Sequence, residues 1–287
     1  MGVMAWVWLV LGYGVLKGVR EIVKKQAVRR SGVLEVLFFY TLFSFVLVLP
    51  DAPNAMGVTA GQMLLTLLKS FVIFIAWLCG FYAIEKMPVS LYGVLDLSRM
   101  LFSTLLGVAL LGERMTLAQG AGLLLVMGGL LMLRLRRNAP AAQRDEPVSP
   151  LIIGLALACC LLNSVSATLD KVLMRGMTSS QLQFWYMFFL AALYALFLLA
   201  RREKVDWRGS LKNVWIWLLS LLIIASDRML FIANGMEGSR LTVMTLLKQA
   251  GVVVTILGGW VFFQEKDTLY KLLCAAVVVA GIVVAVL

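Results

Sequence analysis

The sequence contains no histidine, few charged residues, and only four cysteines and six prolines among its 287 residues. Without histidine, the chain has no histidine-based catalytic triad and no histidine ligand for a metal ion. No glycine-rich phosphate loop occurs between a strand pattern and a helix pattern, so chemistry driven by ATP in this chain alone is not supported. The sequence therefore predicts no enzyme activity, no cofactor and no metal site.

The four cysteines, Cys79, Cys159, Cys160 and Cys274, all lie in apolar segments. Their spacing fits neither a metal site nor a disulfide framework. Because a buried free cysteine behaves as a small apolar residue, we expect all four to serve as packing side chains.

Apolar residues dominate the composition, with 62% hydrophobic and 14% charged residues. A soluble domain has about 25% charged residues. Runs of about 20 apolar residues recur along the whole chain, long enough to cross about 30 Å of hydrocarbon. The net charge of +11 fits lysine and arginine in cytoplasmic loops, and no basic arm indicates a nucleic-acid partner. The sequence therefore predicts a polytopic membrane protein.

Hydropathy and helix-breaking residues predict an all-α integral membrane protein with ten transmembrane helices. The predicted spans are residues 3–25, 33–50, 62–84, 89–111, 116–134, 150–172, 181–200, 213–236, 241–263 and 268–287. A polar linker rich in arginine, proline and alanine, residues 135–149, divides them into two groups of five. We expect a first five-helix repeat over residues 1–134 and a second over residues 150–287.

The two groups of spans are related in sequence. A shift of 152 residues places Glu85 on Glu237 and Glu113 on Glu265, and a shift of 146 residues aligns the first spans of the two groups. An odd number of spans in each repeat inverts the second repeat in the membrane, and inverted repeats are typical of secondary transporters. Glu113 and Glu265 occupy short turns, where we expect a structural role.

The distribution of lysine and arginine predicts the orientation of the chain. If both termini are outside, the external loops contain only Arg114, Lys171, Arg175 and Arg240, and most of the 26 basic residues fall in cytoplasmic loops. The positive-inside rule favours this orientation. We expect a multi-pass protein of a bacterial inner membrane with non-cytoplasmic termini.

The segment LLGERMTLAQGAGLLLVMGG, with FFQEKDTLYKLLCAAVVVAGI as its weaker counterpart, resembles the drug/metabolite transporter superfamily, and within it the EamA-type ten-helix transporters. The resemblance extends over nearly the whole chain. It implies a secondary transporter that moves a small polar solute by alternating access. The chain departs from the family pattern at Arg99 and Gly251, where many members carry proline, and in its predicted external termini.

Charged residues inside the spans are the main candidates for a functional site. An ionised side chain at the bilayer centre costs roughly 2.5–3.5 kcal/mol, so such residues face the bundle interior and pair. Asp96 and Arg99 are three residues apart on one helical face. The 152-residue shift places Asp96 on Lys248, so we expect these charges to meet across the repeat interface. They form either a self-neutralising cluster or a site for a charged group of a solute.

Asp227 and Arg228 are neighbours in the eighth span and point about 100° apart on a helix. We expect them to contact different helices, or Asp227 to face a cavity. Asp227 is a candidate carrier of a coupling proton, and the alternative is a neutralised partner of Arg228, Arg99 or Lys248.

A polar stripe in the sixth span contains Asn163, Ser166 and Asp170. For Asn163 and Ser166 we expect hydrogen bonds to other helices. Asp170 marks either the external membrane boundary or the site. The 146-residue shift relates this stripe to Lys17, Arg20 and Lys24, and for residues 17–30, as for Lys69, we expect snorkelling towards a membrane surface.

The sequence thus predicts a site for a solute that carries an anionic group. The candidate residues are Asp96, Arg99, Asn163, Asp227, Arg228 and Lys248. Both signs of charge fit an amino-acid-like zwitterion, and Lys248 with Arg99 fits an organic anion with a phosphate or carboxylate. The expected partners are this solute, the lipid bilayer, and a coupling proton or ion. A flippase for lipid-linked intermediates, an accessory membrane subunit and a non-transporting scaffold are the alternatives.

Overall fold

The computed structural model describes residues 2–99, 101–103, 105–106, 117–135, 148–202, 205–236, 244, 247–248 and 250–286. None of these residues lies in a β-strand. The α-helices are α1 (Gly2–Arg30), α2 (Val33–Val48), α3 (Ala60–Lys86), α4 (Val89–Asp96), α5 (Leu117–Leu135), α6 (Pro150–Leu173), α7 (Ser179–Arg201), α8 (Trp207–Lys212), α9 (Val214–Gly235), α10 (Ala250–Phe263) and α11 (Thr268–Val286). A 3₁₀ helix, Leu49–Ala55, follows α2.

Five helices in the described part of the chain have the length and apolarity to cross a membrane. They are α3, α6, α7, α9, and α2 with its 3₁₀ extension. Helices α10 and α11 contribute shorter apolar segments, Gly251–Phe263 and Thr268–Gly281. Helix α1 has 29 residues, a length of about 43 Å at 1.5 Å per residue. The protein is therefore an all-α membrane protein, and the count of ten spans stays a prediction.

The helices of the first half, α1 to α5, correspond in order to α6, α7, α9, α10 and α11 of the second half. With this correspondence, the contacts between helices occur in matched pairs. Helix α1 packs against α9 as α6 packs against α3, and α2 packs against α9 as α7 packs against α3. Three further contacts join equivalent helices directly, namely α2 with α7, α4 with α10, and α5 with α11. Two related repeats packed about a pseudo-two-fold axis produce this arrangement.

The starts of α3 and α7 are connected by a reciprocal pair of hydrogen bonds. Each helix begins with a Thr-x-x-Gln capping box, in which side chains bind the free amide groups of the first turn. Gln62 of α3 also donates to the carbonyl oxygen of Gly176 at 2.8 Å, and Gln181 of α7 donates to the carbonyl oxygen of Met56 at 2.7 Å. Each capping residue therefore also fixes the loop that precedes the other helix.

Glycines allow α1 and α10 to approach each other closely. A Cβ atom added at Gly18 would lie 2.4 Å from the carbonyl oxygen of Gly251, and one added at Gly251 would lie 2.3 Å from the carbonyl oxygen of Gly14. Gly14 and Gly18 are four residues apart and share one face of α1. This small-xxx-small spacing is common where membrane helices pack through their backbones.

Cysteines and aromatic residues in the spans serve mainly in packing. Cys159, Cys160 and Cys274 are buried, Cys79 is half-buried, and all four are free thiols. In α3, the Trp77 ring stacks on a tyrosine of α2 with 5.0 Å between ring centres. These contacts agree with the interpretation of both residue types as apolar filling.

Replacing Gly18 with valine is expected to destabilise the protein by about 1–3 kcal/mol, the usual penalty for overpacking, because the new side chain meets backbone atoms of α10. The measurement is the thermal unfolding midpoint of the purified protein in detergent. Gly154→Ala in α6 is the matched control, since a Cβ there has no neighbour within 4 Å. Equal stability of the two variants would show that α1 and α10 do not depend on this close contact.

Candidate functional site

One face of α1 carries polar side chains that contact both halves of the protein. Tyr13, Lys17 and Arg20 lie on this face at helical spacing. Lys17 is buried and forms an ion pair with Asp96 at the end of α4. One helical turn further along, Arg20 Nη1 lies 3.5 Å from Asp227 Oδ1 of α9. Helix α1 therefore pairs with one carboxylate from each repeat.

The prediction that residues 17–30 snorkel to a membrane surface is wrong for the first part of this segment. Lys17, Lys24 and Lys25 are each less than one-tenth exposed, whereas Arg29 and the residue after it are exposed. Lys17 pairs with Asp96 of α4, Lys24 pairs with Glu21 of α1 itself, and Lys25 donates to the carbonyl oxygen of Met87. These cations therefore find partners without reaching water. The helical spacing of these residues indicates that they share one polar face, but it does not show whether that face meets water or the carboxylates of other helices.

Asp96 contacts two cations, Lys17 and Arg99, and is 4% exposed. The predicted contact between Asp96 and Arg99 is therefore present. The predicted contact between Asp96 and Lys248 is wrong, because Lys17 occupies the corresponding place beside the carboxylate. Lys248 lies with its ammonium group 5.7 Å from the centre of the Tyr13 ring.

The fourth predicted span, residues 89–111, is not one continuous helix. Helix α4 ends at Asp96, and Leu97 and Ser98 form a turn. The amides of these two residues bind carbonyl oxygens three residues earlier, at 3.1 and 2.9 Å, rather than four residues earlier. The helix is therefore interrupted between the two charged residues of the LDLSR segment, and residues 107–116 lie outside the described residues.

Side chains of α6 bind the backbone on both sides of this turn. The Cys160 thiol lies 3.6 Å from the carbonyl oxygen of Leu95, and the Ser164 hydroxyl donates to the carbonyl oxygen of Arg99 at 3.1 Å. Non-helical backbone within a membrane protein is tolerated where protein groups satisfy it. Helix α6 therefore supports the interruption at Asp96.

Asp227 and Arg228 contact different helices, as their spacing predicted. Within the described residues, Arg228 has three partners, Asp51 at 2.5 Å, Gln183 at 2.6 Å and Ser180 at 2.8 Å. These partners lie after α2 and at the start of α7, so Arg228 is not part of the cluster around Asp96. The alternative for Asp227, a neutralised partner of Arg228, Arg99 or Lys248, named the wrong cation, because Asp227 forms its ion pair with Arg20 of α1.

Asn163 forms hydrogen bonds within its own helix. Its amide donates to the carbonyl oxygen of Cys159 at 2.7 Å. The interhelical bond expected for Asn163 is therefore not among its contacts with the described residues, and Ser164, next to it, provides such a bond instead.

A second buried ion pair joins α3 to α6. Lys69 Nζ lies 3.2 Å from Asp170 Oδ1 and 3.5 Å from the centre of the Tyr186 ring. Lys69 is 2% exposed, so the prediction that it snorkels was wrong. It is the tenth residue of α3, which already places it about three turns inside the helix. Asp170 is therefore buried and paired with Lys69, and its place relative to the membrane boundary stays a prediction.

Glu265 has the structural role that was predicted for it, but it acts on a distant helix. Its carboxylate accepts hydrogen bonds from the amides of Val89 at 2.5 Å and Ser90 at 3.0 Å. These are the first two residues of α4, where a negative charge also interacts favourably with the helix dipole. Glu113, the related residue, lies outside the described residues.

The charges around Tyr13, Asp96, Asp170 and Asp227 contain more cations than carboxylates. The cations are Lys17, Arg20, Lys69, Arg99 and Lys248, and the carboxylates are Asp96, Asp170 and Asp227. Of the other buried charges, Lys24 pairs with Glu21 and Lys25 lies 3.9 Å from Glu265. A buried excess of positive charge attracts an anionic group, because the low dielectric of the interior strengthens the attraction. No group of cysteines and carboxylates suited to a metal ion occurs in the described part of the chain.

Known proteins share this architecture. The profile of the EamA-like transporter family matches residues 4–135 and 150–287. A solved structure, described only as "Crystal structure of protein", is 21% identical with a TM-score of 0.60, covering 95% of this chain and 96% of its own. At this identity the likeness is one of fold. No curated protein sequence gives a significant match.

Asp96→Asn is expected to destabilise the protein by about 3 kcal/mol or more, because it leaves two cations without their counter-charge. Adding Lys17→Met should recover part of the loss, with a coupling of roughly 0.5–3 kcal/mol, whereas adding Lys248→Met should be additive. Unfolding of the single and double variants in detergent micelles measures both couplings. Coupling to Lys248 and not to Lys17 would contradict the pairing described here.

Proposed function

Because the chain belongs to the EamA-like transporter family, we propose that it is a secondary active transporter for a small polar metabolite with an anionic group. It moves this solute across the membrane by alternating access between two inverted repeats. The observation that carries the proposal is the position of Lys248 within the buried charges.

Lys248 is half-buried and has no carboxylate partner among the residues that the structure describes. The other cations of the cluster each contact a carboxylate. The backbone of Lys248 lies against α1, since a Cβ at Gly14 would be 3.2 Å from its carbonyl oxygen. An intramembrane charge without a protein partner supports a role in solute binding.

The interrupted helix at Asp96 supports the same site. Secondary transporters bind solutes and ions near the midplane, at helices that are broken there. The turn at Leu97 and Ser98 lies beside Lys17, and it is held by α6 of the other repeat. The proposed site therefore lies where the two repeats meet.

The charges favour two classes of solute. An organic anion, carboxylated or phosphorylated, satisfies the excess of cations. An amino-acid-like zwitterion places its carboxylate at Lys248 and its ammonium group near Asp227. Both classes require Lys248, so a variant at this position tests the site before the solute is known.

Lys248→Ala is expected to abolish solute-induced stabilisation of the purified protein. The probes are alanine, succinate and glucose 6-phosphate, which represent zwitterions, carboxylates and phosphate esters. Binding of one probe at 100 times its dissociation constant should stabilise the wild type by about 2.7 kcal/mol, seen as a raised unfolding temperature.

Lys248→Arg should retain part of this shift, since it keeps the charge. Lys212→Ala at an exposed position should retain all of it. Unchanged stabilisation in Lys248→Ala would remove Lys248 from the site. Absence of any stabilisation, together with no uptake of these probes into proteoliposomes, would contradict the proposed function.

The proposed orientation in a bacterial inner membrane, with both termini outside, follows from the positive-inside rule. On a background without the native cysteines, Met56→Cys should react with a membrane-impermeant thiol reagent in intact cells, and Arg208→Cys only after the membrane is opened. Both positions are exposed, so burial does not confound the comparison. The reverse labelling would invert the topology.

A further inference from the structure

The three buried aspartates differ in how firmly they are paired. Asp96 contacts two cations at short range. Asp170 has Lys69 at 3.2 Å, and this ammonium group also lies against the Tyr186 ring. In the described part of the chain, Asp227 forms one ion pair, with Arg20 at 3.5 Å. Asp227 is therefore the aspartate of the three with the weakest pairing.

Arg20 divides its contacts between two groups on α9. Its Nη1 atom lies 3.5 Å from Asp227 Oδ1 and donates to Ser226 Oγ at 3.3 Å. The hydrogen bond to Ser226 does not depend on the charge of Asp227. When Asp227 is neutral, Arg20 therefore keeps a neutral partner on α9 but loses its counter-charge.

Seven ionisable groups of the described residues lie near Asp227. They are Arg20 and Tyr13 of α1, Tyr40 of α2, Tyr186 of α7, Lys69 of α3, Asp170 of α6, and Lys248. Lys69 is paired with Asp170, and Lys248 is the proposed solute contact. Arg20 is therefore the principal counter-charge of Asp227.

We propose that Asp227 carries a coupling proton, and that its protonation releases Arg20 to bind the anionic group of the solute together with Lys248. This inference rests on the proposed function, because it names the driving ion of the same site. Tyr13 lies between the two cations, since the Lys248 ammonium group is 5.7 Å from the centre of its ring and Arg20 lies on the same face of α1.

The exchange balances in protons and charge. A proton from water on one side of the membrane adds to the Asp227 carboxylate and makes it a neutral acid. Arg20 stays protonated, and its N–H groups turn from Asp227 to the anion. The proton offsets one negative charge of the anion, so loading with both adds less uncompensated charge to the cluster than loading with the anion alone. Release on the other side reverses both steps.

The first test needs no solute. Infrared spectra of the purified protein should show the carbonyl band of a protonated carboxylic acid that grows as the pH falls from neutral to mildly acidic. The band should be lost in Asp227→Asn and kept in Asp170→Asn, which removes the buried carboxylate of the Lys69 pair. No such band in the wild type, or an unchanged band in Asp227→Asn, would overturn the proposal.

The second test uses the anionic probes succinate and glucose 6-phosphate in weakly buffered solution with a pH indicator. Binding to the wild type should take up a proton, and its affinity should fall about tenfold per pH unit above neutral, the dependence expected when one proton binds with the ligand. Asp227→Asn should bind the same probe without proton uptake and without this pH dependence. Equal proton uptake by wild type and variant would overturn the proposal.

The two tests separate this inference from the function on which it rests. If neither probe binds the wild type, the proposed function fails for these solutes, and the infrared band still decides whether Asp227 takes up a proton. If Asp227→Asn does not fold, the double variant Arg20→Gln with Asp227→Asn removes both charges and replaces it. The band must then be absent from the double variant, and its persistence would overturn the proposal.

Discussion

The ion pairs of α1 with Asp96 and Asp227 are the contacts on which the helical bundle depends. Lys17 and Arg20 are too deep in α1 to reach water, so they require a carboxylate from another helix. Breaking a buried pair costs about 3–5 kcal/mol, because it leaves an uncompensated charge. These pairs therefore fix the depth and rotation of α1 against both repeats, and close packing of α1 on α10 through glycine makes the same arrangement possible.

The backbone contacts of the two halves are nearly symmetric, but their charges are not. Asp96 and Lys248 lie at equivalent positions and carry opposite charges, and Lys17 corresponds to the uncharged Asn163. Two cations of the first repeat, Arg20 and Lys69, take their carboxylates from the second repeat. The second repeat also contributes Lys248, which has no carboxylate partner among the described residues. Because of this asymmetry, the proposed site has opposite charges at equivalent positions, which two identical repeats could not provide.

The interruption of the helix at Leu97 and Ser98 brings backbone and charge together at one point. A regular helix would use its carbonyl groups internally, whereas here α6 supplies a hydroxyl and a thiol beside the turn. The first turn of α4 is in turn capped by Glu265 from the second repeat. Both ends of this short helix are therefore held by the opposite repeat, so a shift of one repeat against the other would act directly on Asp96.

The sequence by itself determined the class of protein, its helical character, its family, and the contacts that depend on local spacing. Asp96 meets Arg99 because the turn at Leu97 and Ser98, with its hydrogen bonds to the third residue back, keeps residues three apart on one side of the chain. Asp227 and Arg228 diverge because neighbours on a helix point apart. The tertiary structure alone decided the distant partners, which are Lys17 for Asp96 and Lys69 for Asp170. Hydropathy and periodicity show which face of a helix is polar, but the partner depends on the depth and rotation of each helix. The depth and rotation of a helix are set by the volume of the side chains at its contacts. At Gly18 and Gly251, the absence of a side chain lets the two backbones meet.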